Sequence, residues 1–147
     1  MDKVIFLDVD GVLNTFGNGG HFTVSKRRVK KLQNLVEATK ALLVLSSTWR
    51  NHTYHLRRLK TKLAYRGMSL FSMTSNLEGF NISRGMEIQD WLDRHPNVSS
   101  YVILDDSSDM LEEQFPHFVN TDPYKGLTDE DVNRAIQILE LEGVPDV

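Results

Sequence analysis

Short apolar runs alternate along the chain with stretches whose apolar residues recur at helical spacing. Residues 3–8 read as a strand. Residues 25–40 carry Val29, Leu32, Leu35 and Val36 at three- and four-residue intervals, the signature of one buried helix face. Residues 41–46 read as a second strand. Residues 52–66 form a second helix with Leu56, Leu59 and Leu63 on one side, and 69–73 a short strand. A helix over 84–94 follows, with Ile88, Trp91 and Leu92 as its core stripe. Then come a strand at 101–105, a short helix at 108–115 and a last strand at Phe118-Val119. Thr128 opens a helix to about residue 142, with Asp129, Glu130 and Asp131 favourable in its first turn. This alternation predicts an α/β domain whose parallel sheet is covered on both faces. One domain over 1–147 is expected, with its core over about 3–126 and the helix at about 128–142 appended. No internal repeat or linker interrupts it, and Pro145 and the last residues are expected to fray.

The strand ends carry the chemistry. The first run ends in Asp8-Val9-Asp10-Gly11, two carboxylates one residue apart before a glycine that permits a sharp turn. Period-two geometry points both side chains the same way if the strand continues that far. Bare anions this close repel, and a hard cation such as Mg²⁺ relieves that repulsion and suits phosphate chemistry. An EF-hand calcium loop is excluded: its fifth, sixth and twelfth positions fall on Val12, Leu13 and Gly19, none of which fits. A plain polar turn after a strand is the competing reading of this motif alone. The second strand ends in Ser46-Ser47-Thr48-Trp49-Arg50, and the 101–105 strand in Asp105-Asp106-Ser107-Ser108-Asp109. Arg84 stands at the start of a helix. Ligands of open parallel sheets bind beyond the carboxyl ends of the strands, so these four segments are expected to meet at one edge.

Asp8-x-Asp10-Gly11, Ser46 or Ser47, Arg84 and Asp105-Asp106 appear in the order of the four motifs of the haloacid dehalogenase (HAD) superfamily, which the chain resembles from residue 3 to about 126. Ser-Ser-Thr-Trp-Arg, Arg-Gly-x-Glu-Ile-x-x-Trp-Leu and Thr121-Asp122-Pro123-Tyr124-x-Gly126-Leu127-Thr128 resemble, more narrowly, the HAD domains of Swiss Army Knife RNA repair proteins. The resemblance implies a Rossmann-like three-layer fold and a Mg²⁺-dependent phosphatase. In it, Asp8 attacks phosphorus, Asp10 acts as acid and then base, and Ser46 and Arg84 hold the phosphoryl oxygens. The metal falls to Asp8, the Asp10 backbone carbonyl, and Asp105 or Asp106. Gly11, Asn14, Ser47 and Arg50 are placed around the substrate. Asp109 is open between a metal-bound water and a helix cap, and Arg50 between a second phosphate and an acid partner. The sequence departs from the superfamily pattern in having Val12 where Thr is frequent and Arg84 where Lys is frequent. Arg cannot lose its proton and serves only as a fixed charge and donor. Of the two serines, Ser46 is preferred as the first polar residue after the apolar run; a one-residue slip reverses the choice.

Composition narrows the alternatives. The chain has 147 residues, 40% of them apolar and 25% charged, ordinary for a globular domain. It has no cysteine, which excludes disulfides and thiolate zinc. No apolar stretch approaches membrane-spanning length, and Asp8 interrupts the first apolar run, so a cytoplasmic location without membrane contact is expected. The net charge of -3 hides a segregation: residues 26–66 hold 12 Lys or Arg and one acid, Glu37, whereas 101–147 hold 12 Asp or Glu and two bases. Arg57-Arg58-x-Lys60-x-Lys62, with Tyr54, His55 and Tyr65, is either a solvated helix face or a surface for a nucleic-acid backbone. Neither gap between motifs has room for a large cap domain, which favours a large substrate such as a nucleic-acid end; completion by a partner subunit is the alternative. Residues 14–23 suggest a flap over the site carrying Phe16, His21 and Phe22. Trp49 reads as core, and His52 with His55 as an exposed helix face. A small-metabolite phosphatase, a nucleic-acid-binding module and a phospho-accepting receiver domain are the competing functions. The receiver requires a late Lys-Pro, but Lys125 is followed by Gly126.

Overall fold

A computed structural model describes residues 1–16 and 23–142. Five strands form one all-parallel sheet: β1 (Asp2–Leu7), β2 (Leu42–Leu45), β3 (Leu70–Met73), β4 (Val98–Asp105) and β5 (Phe118–Asn120), in the order β3-β2-β1-β4-β5. Four helices connect and cover them: α1 (Lys26–Thr39), α2 (Thr53–Tyr65), α3 (Arg84–Asp93) and α4 (Asp129–Glu142). The arrangement is the expected three-layer, Rossmann-like one. Helices α1, α2 and α4 bury Leu32, Leu35, Leu59, Leu63, Ala135 and Leu139 against Ile5, Leu7, Leu45 and Leu104 on one face. Alternate strand residues Val4, Phe6, Val44 and Ile103 face the other way and pack on Ile88 and Trp91 of α3. Phe6 meets Trp91 edge-on, with ring centroids 5.4 Å apart.

Capping residues set the helix starts. Ser25 accepts from the Arg28 N–H, Ser83 from the Met86 N–H, and Thr128 and Asp131 cap one another reciprocally at the start of α4. Three elements differ from the sequence pattern. β4 begins at Val98, three residues before the apolar run, because the Ser99 and Ser100 hydroxyls donate to the Asp2 and Leu139 carbonyls and so let polar residues extend the strand. The short helix expected at 108–115 is a 3-10 segment over Glu112–His117; Pro116 cannot donate a helical hydrogen bond. A 3-10 turn, Thr48–Asn51, precedes α2. Among the described residues, β3 is the single element between α2 and α3, so no large cap domain lies there. No helix is long and apolar enough to cross a membrane among those residues. His21 and Phe22 of the expected flap, and Pro145, lie outside the described residues.

Candidate active site

The site is built on one row of the sheet. Leu45, Leu7 and Leu104 are register partners across β2, β1 and β4, and the next residue on each strand is Ser46, Asp8 and Asp105. Period-two alternation turns these three away from the leucine face and toward the face covered by α3. There the first residue of α3, Arg84, reaches all three. Its Nη1 donates to Asp8 Oδ1 at 2.9 Å, to Asp105 Oδ2 at 3.0 Å and to the Ser46 carbonyl at 2.9 Å.

Asp106 completes an acidic cluster. One oxygen each from Asp8, Asp105 and Asp106 lies within 4.8 Å of the others. Gly11 makes this crowding possible: its φ is +81°, and a β-carbon there would come within 2.5 Å of the Asp106 carboxylate. The Arg84 guanidinium pairs with two of these three carboxylates, and the shortage of positive charge is visible in their protonation. Burial, reinforced by Asp105, holds Asp8 well above the usual carboxylate range despite Arg84. Burial pushes Asp105 up to about 6, against the pull of Arg84 and the Ser107 N–H. Burial also works against the Arg84 charge, but Asp8 and Asp105 outweigh it and raise its pKa. The donor set, all hard oxygen and short of positive charge, fits a magnesium ion. Among the described residues, the buried Ser46 hydroxyl has no hydrogen-bond partner, which fits a donor to a phosphoryl oxygen.

Asp10 is not part of this acidic cluster. Its Oδ1 accepts from Asn14 Nδ2 at 2.9 Å and from the Trp49 indole N–H at 3.1 Å. Asn14 also accepts from the Gly11 N–H at 2.9 Å, closing the turn after β1. Trp49 is the residue that sequence reasoning missed. It is buried, as a core residue should be, yet its polar edge holds Asp10. Ser47 is engaged as a cap, accepting from the Trp49 N–H. Arg50 is paired with an acid: Nη2 lies 3.0 Å from both oxygens of Glu87, with Asn76 and the Ser47 carbonyl as further acceptors. Asp109 acts on the helix, its carboxylate accepting from the Arg84 N–H at 3.0 Å.

The segment 121–127 braces the turn after β1. Thr121 Oγ1 donates to the Gly11 carbonyl at 2.8 Å, and the Leu127 N–H donates to the Val12 carbonyl at 2.7 Å. The Phe16 N–H reaches the Pro123 carbonyl at 2.9 Å.

The sequence matches the family described as the HAD domain in Swiss Army Knife RNA repair proteins over residues 4–132. The chain belongs to this family. Each strand-end motif that builds the row, and the 121–127 brace, falls inside the matched span of this HAD domain. No curated protein and no solved structure matches it. At family level the HAD domain is that of a superfamily phosphatase, and its acidic cluster is compatible with that chemistry.

Proposed function

We propose that this HAD domain is a magnesium-dependent phosphomonoester hydrolase that acts through an aspartyl-phosphate on Asp8, with a nucleotide or a nucleic-acid end as its substrate. The observation that carries the reading is the row of Asp8, Ser46 and Asp105 gathered around Arg84.

Asp8, the Asp10 backbone carbonyl, and Asp105 or Asp106 would hold the ion. Magnesium bound there supplies the positive charge the carboxylates lack and Lewis acidity toward the phosphoryl group. The chain's own groups perform the rest. The Asp8 carboxylate attacks phosphorus while the bond to the leaving oxygen breaks, and Asp10 gives that oxygen a proton. Asp10 then takes a proton from water as the water attacks phosphorus, which releases phosphate and restores Asp8. Arg84 and Ser46 bind the phosphoryl oxygens and offset their charge throughout. The family's link to RNA repair, the lack of a large cap and the basic first half of the chain support a nucleic-acid end.

Turnover of a generic aryl phosphate tests the activity. It should require magnesium, vanish in excess chelator, and be lost in Asp8→Asn, which keeps the shape but not the nucleophile. Full activity in chelator, or near-normal turnover by Asp8→Asn free of deamidation, would overturn the proposal.

A further inference from the structure

Helix α2 sorts its cations onto two flanks. Leu56, Leu59 and Leu63 form its inward face. At 3.6 residues per turn, Tyr54, Arg58, Thr61 and Tyr65 fall in one row on a different face, flanked by Lys62, whereas Arg57 and Lys60 fall on the other side. Lys60 accordingly lines a separate hollow beside β3. Between the Tyr54–Tyr65 row and the first half of α1 runs a groove of about 500 Å³, lined by Lys26, Val29, Thr61, Lys62, Tyr65 and Arg66.

Lys26, Lys62 and Arg66 line this groove, and Arg58 stands beside it, close enough to Lys62 to act on its charge. Among the described residues, none of Lys26, Arg58, Lys62 and Arg66 is in an ion pair. Their contacts are neutral: Lys62 Nζ donates to the Val24 carbonyl at 2.8 Å, Arg66 to Gln33 at 3.4 Å, and Arg58 lies over the Tyr54 ring at 5.7 Å. Burial, then Arg58 and Lys26, lowers the Lys62 pKa, as expected where positive charges crowd. Helix α1 opens on Lys26-Arg27-Arg28 with no acid in its first turn, the sign its macrodipole disfavours. Two large rings are open to solvent at the ends of the row, Tyr54 at 65% exposure and Tyr65 at 92%. The row starts beside the active site, because the His55 ring lies 5.0 Å from that of Trp49, which holds Asp10.

We propose that the α1–α2 groove is a second binding site, for the backbone of a single-stranded polynucleotide: Lys26, Arg58, Lys62 and Arg66 meet phosphates, and Tyr54 and Tyr65 stack on bases. It deepens the substrate class proposed above and rests on that reading for the route from the groove to the catalytic aspartates. The row spans about 16 Å, room for several stacked nucleotides. Exposed aromatic rings interleaved with cations that form no ion pair among the described residues favour nucleic acid over an acidic protein segment, because bases stack on the rings.

Fluorescence anisotropy with the full chain tests it. The probe is a labelled single-stranded RNA of about a dozen nucleotides with hydroxyl groups at both ends, so it carries no terminal phosphate to hydrolyse. Replacing Arg58 and Lys62 together with Ala should weaken binding about tenfold and make the log-affinity against log-salt slope shallower by roughly 1.4, about 0.7 per lost phosphate contact. Tyr65→Ala, at an exposed position outside the core, should independently weaken binding roughly tenfold through lost stacking. The opposite-flank pair, Arg57→Ala with Lys60→Ala, should lose distinctly less. Unchanged binding in the groove variants, or an equal loss in both pairs, would overturn the site. Displacement of the RNA by polyglutamate at similar concentration would overturn the polynucleotide assignment in favour of an acidic protein partner. Turnover plays no part in this readout: a chain without phosphatase activity would sink the catalytic proposal while leaving the binding result to stand on its own.

Discussion

Asp10 has one oxygen committed and one to spare. Its Oδ1 takes both the Asn14 amide and the Trp49 indole, so in the proposed mechanism Oδ2 is the oxygen that carries the proton for the leaving group. Trp49→Phe keeps an aromatic side chain, though a smaller one, and deletes one donor to a carboxylate. A hydrogen bond of this charged type is worth about 1.5–3 kcal/mol, so kcat toward an aryl phosphate should fall roughly tenfold to a hundredfold, with KM little changed. An unmoved kcat and pH profile would reduce Trp49 to packing. Asp105 sets a second residue-level prediction. Its folded pKa, about 6, lies above the ordinary 3.8, so the folded state holds the proton more tightly than the unfolded. The stability this provides is complete below about pH 4 and is lost as pH rises through 6, a span on the order of 3 kcal/mol. Chelated protein should therefore show a thermal midpoint that falls across that window, and Asp105→Asn should flatten the fall. A midpoint that rises instead, with no difference between the two proteins, would contradict the burial of this carboxyl. The convergence of Asp8, Ser46, Arg84 and Asp105 at one sheet edge was legible from sequence because strand ends and a helix start announce it. The role of Trp49 was not, since an indole among apolar neighbours reads as core, and its polar edge reaches Asp10 only through the 3-10 turn at Thr48–Asn51.

Helix α3 has to present Arg84 to the strand row, and two contacts position it. Gly85 packs so closely on the segment after β4 that a β-carbon would lie 2.5 Å from Gln114 Oε1 and 2.6 Å from the Leu111 nitrogen. The Arg50–Glu87 pair ties α3 to the turn after β2, with both side chains largely buried. Glu87→Ala strands the Arg50 charge and should cost about 3–5 kcal/mol in chemical denaturation, whereas an apolar replacement of both partners should cost far less. If the double replacement is as damaging as the single, the pair is not the clamp. Both residues belong to motifs visible in the sequence, Ser-Ser-Thr-Trp-Arg and Arg-Gly-x-Glu, but their pairing across 37 positions is set by the tertiary fold. The same holds for β4, whose serines conceal the start of the strand until their hydroxyls find carbonyl partners. Helices α1, α2 and α4 were readable because their apolar spacing is long and regular.

Across the whole molecule, charge is segregated along the chain and no large cap domain occurs among the described residues, two features on which the proposed nucleic-acid substrate rests. Oligonucleotides ending in a phosphate should be hydrolysed with higher kcat/KM than the matching mononucleotides, and that advantage should shrink as salt rises, because counterion release then contributes less. Equal efficiency at low salt would favour a small phosphorylated metabolite. The parallel α/β class followed from the alternation of patterns, but the strand order did not: it depends on which apolar faces share a layer. The catalytic expectations rest on Asp8 being the group that takes the phosphoryl. Acid-quenching the enzyme during turnover and reducing it with borohydride converts a phosphorylated aspartate to homoserine. Peptide sequencing should then find homoserine at position 8, dependent on both substrate and magnesium. Rapid magnesium-dependent turnover under conditions that trap acyl phosphates, with position 8 still aspartate or with homoserine at another position, would contradict the account.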